Sequence, residues 1–223
     1  MMISQKIHAA IPVKRFNRAK SRLADVLTDQ QRQQLSQAML CDVLRAVTGS
    51  QALAGAVVIS ADPDARQIAK QYGAETMHDP AETGPSAAIA LAEAYLSSRS
   101  GDGMMAIMAD VPLVTASELG EMLIAHGPSP AVTLAPARNG LGCNAAICSP
   151  TNVIGLRFDG KSLALHHQLA ERQGAAVTSV VMQGLGLDID NADDLNAFCA
   201  VRSATQTADL CRDLNLYDRR GVA

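Results

Sequence analysis

"KIHAAIPVKRFNRAKSRLADVLTDQQRQQLSQAMLCDVLRAVTGSQALAGAVVIS", Lys6–Ser60, decides the fold of this 223-residue chain. Lys6–Val13 is a short apolar run that predicts a buried strand. Thr28 with Gln31 three residues on has the spacing of a capping box. Leu35, Met39, Leu40, Val43, Leu44 and Val47 then recur at helical intervals, and Ala54–Ser60 is a second apolar strand. A strand, a long helix and another strand predict a right-handed crossover and a parallel pair.

The same alternation continues downstream. "DARQIAKQYG" reads as a helix ended by Gly73, "AETMHD" as a short strand, and "PSAAIALAEAYLSS" as a helix with Pro85 in its first turn. "GMMAIMADVP" holds a buried strand that stops at Asp110, and "SELGEMLIAHG" is a helix. "PAVTLAPA", "CNAAICS" and "AVTSVVM" are strands, with the helix "SLALHHQLAERQG" between the last two. A closing helix is capped by Asn191, with Asp193 and Asp194 in its first turn. The expected fold is a three-layer, Rossmann-like α/β domain over residues 1–204, mostly parallel, with an antiparallel edge strand. Residues 205–223 are expected to be a weakly patterned tail in which Leu210 and Leu214 dock one helical turn and the last residues fray.

Composition narrows the function. The net charge of −3 disfavours general nucleic-acid binding. Five irregularly spaced cysteines form no CxxC pair, which argues against a disulfide framework or a zinc site. His166 and His167 lack metal-ligand partners at useful spacing. No signal-peptide pattern or membrane-length apolar run is present, so a soluble, cytoplasmic protein is expected.

Against that acidic background, Lys14, Arg15, Arg18, Lys20 and Arg22 fall within nine residues just after the first strand. Ligands of open α/β sheets bind beyond the carboxyl ends of the strands. The residues after Val13, Ser60, Met108 and Ala135 are therefore the places to inspect, including Asp62, Asp110 and the loop 138–144. Neither GxxxxGK[ST] nor GxGxxG is present, so phosphate contact would fall to side chains such as Lys14, Lys20 and Arg22. Arg15 and Arg18 are read as solvated. Asp110 at a strand end suits magnesium, and Asp188 and Asp190 flank Ile189 on one side of an extended segment. Asp190 is favoured over Asp188 as the second metal carboxylate, the alternative being simple helix capping. Gly140, Gly142, Asn139 and Asn144 in "RNGLGCNAA", and Gly160 and Ser162 before a helix, are candidate anion holders; an ordinary hairpin turn and a Ser cap are the bland alternatives.

In this order the segments resemble the phospho-lactate guanylyltransferase family of deazaflavin coenzyme biosynthesis, called CofC or FbiD. The strings that carry the likeness are "IPVKRFNRAKSRLADVL", "MADVPL", "APARNGLGCNAAICSP", "FDGKSLALHHQLA" and "LDIDNADDL". The resemblance implies a nucleotidyltransferase that joins GTP to 2-phospho-L-lactate, phosphoenolpyruvate or 3-phospho-D-glycerate and releases pyrophosphate. It implies catalytic roles for Lys20, Arg22 and Asp110, and nucleotide contacts from Lys14, Ser21, Ser86 and Asp110. Gly142, Cys143, Asn144, Gly160 and Ser162 would hold the acceptor, and Asp110, Asp190 and Asp188 would hold Mg2+. The family's usual GTN is Gly142-Cys143-Asn144 here, and its GLNxA is "GPSAA", so Ser86 stands in for an Asn near the expected base. Expected partners are the small-molecule substrates, with no nucleic acid and no membrane; a homodimer is allowed. The competing readings are a molybdopterin-type or sugar-phosphate nucleotidyltransferase, and a nucleotide-binding protein without turnover.

Overall fold

Alternation of buried side chains along each central strand builds two apolar layers on opposite faces of one sheet. The computed structural model describes residues 5–99 and 101–217. The strands are β1 (Ile7–Pro12), β2 (Gly55–Ile59), β3 (Glu75–Met77), β4 (Gly103–Ile107), β5 (Ala131–Pro136), β6 (Cys143–Ser149) and β7 (Ala176–Ser179). The helices are α1 (Asp29–Gly49), α2 (Pro63–Gln71), α3 (Pro85–Ser97), α4 (Ala116–Ala125), α5 (Ser162–Arg172), α6 (Gln183–Gly186), α7 (Ala192–Cys199) and α8 (Gln206–Asp213). Strand order is β3-β2-β1-β4-β6-β5-β7.

On one face Ile7, Ala9, Ile11, Met105 and Ile107 pack with Val43, Leu44 and Val47 of α1 and with Leu119 and Met122 of α4. On the other, Ala10, Met104 and Ala106 pack with Ile89 and Ala92 of α3 and with Ala170 of α5. A strand places successive side chains on opposite faces, so Met104 and Met105 belong to different layers. The three-layer, mostly parallel sheet is the one the alternation predicts. Its reversed strand, β6, lies inside the sheet between β4 and β5 instead of at an edge. The short β5–β6 connection makes that pair antiparallel, and packing against both layers places β6, not β5, beside β4. The edge is then taken by β7, parallel to β5.

Two caps anticipated from sequence are formed. Thr28 and Gln31 make the reciprocal capping box of α1, and Asn191 caps α7 by accepting from Asp193 N and Asp194 N. The expected single docked turn around Leu210 and Leu214 is instead the eight-residue α8, which buries Thr207, Ala208 and Cys211. Residues beyond Tyr217, where fraying was expected, lie outside the described residues. No helix among the described residues is long and apolar enough to cross a membrane.

A third apolar cluster positions the functional end of the sheet. Leu23 and Leu27, from the segment after the basic stretch, pack with Leu187 and Ile189 and with Phe198 of α7. This packing brings residues 14–22 and 188–190 to the same sheet edge.

Candidate active site at the carboxyl edge of the sheet

Because β1, β2 and β4 run parallel, their carboxyl ends share one edge. Reversed β6 begins at that edge, where Met108 N donates to Asn144 O at 2.9 Å. Ile189 N donates to Asp110 O at 3.1 Å and stitches the 188–190 segment beside the end of β4. Above this edge lies a cleft of about 640 Å³, lined among others by Lys14, Lys20, Asp79, Glu82, Asp110 and Asp190. Ser21 and Arg22 also face it.

The basic stretch leaves β1 as two 3-10 turns, Phe16–Arg18 and Ser21–Leu23, with Lys20 between them in the left-handed region at φ 54°, ψ 37°. For a residue with a Cβ that conformation costs roughly 1–2 kcal/mol. It aims the side chain inward: Lys20 Nζ lies 2.5 Å from Asp110 Oδ2 and 2.9 Å from Asp190 Oδ1. Burial opposes the ammonium charge, but the Asp110 and Asp190 carboxylates outweigh it and raise the Lys20 pKa. Burial likewise opposes the charge on Asp190, and Lys20, helped by Arg22, lowers its pKa. Arg22 Nη1 reaches Asp190 Oδ2 at 3.5 Å from a side chain that is 74% exposed, a screened and weak contact.

Lys14 is exposed on the cleft wall. Arg15, read as solvated, is a correction: its Nε donates to Glu82 Oε1 at 2.6 Å and it lines the cleft. Arg18 is largely exposed, with a 3.6 Å contact to Glu82. Asp62 braces the same loop. Its Oδ2 accepts from Phe16 N at 2.8 Å while Oδ1 caps α2.

Asp79 and Glu82 escape the sequence reading. Asp79 is buried, and its Oδ1 accepts from Ala81 N and Glu82 N, a turn that holds Glu82 at φ 49°. Two of the three left-handed non-glycine residues among those described, Lys20 and Glu82, thus face one cleft, as strained backbone at functional sites does. The usable signal was the "HDPAETGP" segment: it follows β3, whose carboxyl end belongs on the same edge.

The five acceptor candidates come together in a wall next to the cleft. Leu163 N donates to Leu141 O at 3.0 Å, and a Cβ on Gly142 would lie 3.2 Å from Gly160 O, so the two loops touch. Gly160 takes φ +82°, open to glycine. Cys143 and Ser162 are buried side by side, and burial pushes the thiol up to about 12, slightly opposed by the Ser162 hydroxyl. That hydroxyl has no well-aligned hydrogen-bond partner among the described residues. Asn144 Nδ2 donates to Leu185 O at 2.8 Å and to Asp188 Oδ1 at 3.0 Å, so it orients a carboxylate. Burial raises the Asp188 pKa, Asn144 opposes that, and the Asp110 charge adds to it. Ser86 does not line the cleft; its Oγ accepts from Phe158 N at 2.9 Å and ties α3 to the 158–162 loop.

His166 closes this wall from behind. Its Nε2 accepts from Arg157 N at 2.9 Å, and burial lowers its pKa from the ordinary 6.5 to about 4. The unfolded chain therefore takes up a proton that the folded chain refuses as pH falls from 6.5 toward 4, and stability is lost over that window. Melting temperature is expected to fall between about pH 7 and pH 5. The fall should be shallower in His166→Leu and still present, because His126 is also lowered to about 4 by burial. An unchanged slope in that variant would contradict the assignment.

Among the described residues no three His, Cys, Asp or Glu side chains already converge as a metal cage. The donor set nonetheless fits a hard divalent cation. Asp110 and Asp190 converge on one positive centre, and Asp188 stands next to them close enough for its pKa to feel Asp110.

Comparison with known proteins now decides the family. Residues 7–218 match the family described as "Guanylyl transferase CofC like". The chain belongs to the CofC-like guanylyltransferase family. It is 34% identical over 192 residues to a phosphoenolpyruvate guanylyltransferase from Conexibacter woesei, covering 85% of each chain. It is 31% identical to a 2-phospho-L-lactate guanylyltransferase from Methanothermobacter thermautotrophicus, covering 94% of this chain and 91% of the relative. A nucleotidyl transferase structure from the same methanogen superposes with a TM-score of 0.65 at 14% identity, covering 93% of this chain and 99% of the other, a likeness of fold.

Proposed function

We propose that this CofC-like chain transfers the guanylyl group of GTP to the phosphate of a three-carbon phospho-acid: phosphoenolpyruvate, 2-phospho-L-lactate or 3-phospho-D-glycerate. The observation that carries the reading is the partly buried Lys20–Asp110–Asp190 group at a cleft also lined by Lys14 and Arg22. Such a cleft offers positive charge to phosphates and carboxylates to a divalent ion. An acceptor phosphate oxygen attacks the α-phosphorus, the bond from that phosphorus to the bridging oxygen breaks, and pyrophosphate leaves with the electron pair. Lys20 and Arg22 offset its charge, and catalysis is chiefly positioning and charge stabilisation. Mg2+ held by Asp110 and Asp190, with Asp188 alongside, would neutralise phosphate charge.

Asp79 and Glu82 support guanine as the base. Carboxylate oxygens accept from the adjacent N1–H and N2–H2 donors of guanine, a pair that adenine lacks. The Gly142–Asn144 and Gly160–Ser162 wall, close to Asp188, is where the acceptor acid would dock. The product would be a guanylyl-phospho-acid for transfer to the deazaflavin coenzyme precursor by a later enzyme. Purified protein with Mg2+, each of the four nucleoside triphosphates and each phospho-acid should release pyrophosphate only with GTP and one or more of these acids. No release with GTP and any of them would reject the function.

A further inference from the structure

Lys20 stands where a cation would stand. Its Nζ is within 2.9 Å of one oxygen from each of Asp110 and Asp190, and its side chain is only 9% exposed. Two carboxylates closing on one positive centre is an arrangement that also suits a hard divalent ion. The same space does not hold both, because an ammonium and a dication at contact repel and compete for the same oxygens. Lys20 is also the residue between two short turns, outside any helix or strand, and it lines the cleft. The cleft directly beside it is lined by Lys14, Ser21 and Arg22, which would gather an anion there.

We propose that Lys20 is a resident substitute for the divalent cation. In the nucleotide-free protein its ammonium holds Asp110 and Asp190 together, and it yields that position when a polyphosphate in the cleft becomes its counter-anion. The inference rests on the proposed function for the identity of that anion. Asp190 is also held through its backbone, whose N–H donates to Asp194 Oδ2 at 3.1 Å, so its place does not depend on Lys20 alone. The consequence is positive coupling between nucleotide and cation, and competition between Lys20 and a cation offered alone.

Mn2+ binding to the nucleotide-free protein, read by electron paramagnetic resonance of the free ion, tests this. Wild type should bind weakly. Lys20→Met should bind more tightly by about tenfold or more, within the usual span of coupling between sites. The gain should vanish in Lys20→Met with Asp110→Asn. Equal affinity in wild type and Lys20→Met overturns the proposal, and so does a gain that survives Asp110→Asn. If Lys20→Met does not fold, pulsed reductive methylation of wild type, read by mass spectrometry, gives the answer. Mn2+ should raise the reactivity of Lys20 relative to the other lysines, and unchanged reactivity at saturating Mn2+ overturns the idea. Neither measurement uses GTP or an acceptor. A protein that fails to release pyrophosphate but shows Mn2+ displacing Lys20 loses the proposed function and keeps this switch, and the opposite pattern loses only the switch.

Discussion

Asp110→Asn is expected to lower kcat/KM for pyrophosphate release by about 100- to 1,000-fold, the loss typical of removing one preorganised electrostatic group. Asp110 follows the central strand β4, and its backbone is pinned by Ile189 N at 3.1 Å. Its side chain is a direct partner of Lys20, and with Asp190 it would carry the cation. Asn keeps the shape and removes the charge, so binding of the divalent ion should weaken while the fold persists. Circular dichroism checks the fold, and a titration of Mg2+ should show activity partly recovered at higher concentration. Wild-type turnover in this variant would mean that the carboxylate is not part of the chemistry.

Asp42→Ala should destabilise the fold by about 3–5 kcal/mol, because several donors, each worth roughly 1–3 kcal/mol when left unsatisfied, lose their acceptor together. Asp42 lies in α1 and is 4% exposed. It accepts from Gln206 N at 2.8 Å, from Thr207 N at 2.9 Å and from Thr207 Oγ1 at 2.7 Å. It is thus a capping anion supplied from 164 residues away in sequence to the first turn of α8. For a chain of this size the loss corresponds to a fall in Tm on the order of 10 °C. Asp42→Asn, which retains an acceptor, should fall between. Because α8 packs in the cluster with Leu23, Leu27 and Ile189, the KM for GTP should rise in the same variant. A Tm within about 2 °C of wild type would show that α8 contributes little to the fold.

Much of the architecture was legible because it is local. The apolar run Lys6–Val13, the helical stripe from Leu35 to Val47 and the Thr28 and Asn191 caps each state a preference within a few residues. β1, α1 and α7 follow them. The interior place of β6 was not legible, since which neighbour a hairpin inserts beside depends on packing against both layers. The candidate site was legible in part. Lys14, Lys20, Ser21, Arg22, Asp110 and Asp190 share the cleft, whereas Ser86 binds a loop backbone and Asn144 holds Asp188. Asp79 and Glu82 are missed although "AETMHD" reads as a strand, because nothing in so short a strand says that it joins the sheet beside β2, with its carboxyl end on the same edge.

The sequence by itself determined the strands β1 to β7, the helices α1 to α5 and α7, the Thr28 and Asn191 caps, the concentration of charge after β1, and the strings that mark the family. These depend on periodicity and residue type over short windows. Only the tertiary structure decided that Lys20 would sit between Asp110 and Asp190, 90 and 170 residues away. That placement needs a left-handed residue between two turns and an apolar cluster joining Leu23 to Ile189. Neither leaves a local pattern, because the direction of a loop side chain is set by backbone dihedrals that distant packing enforces.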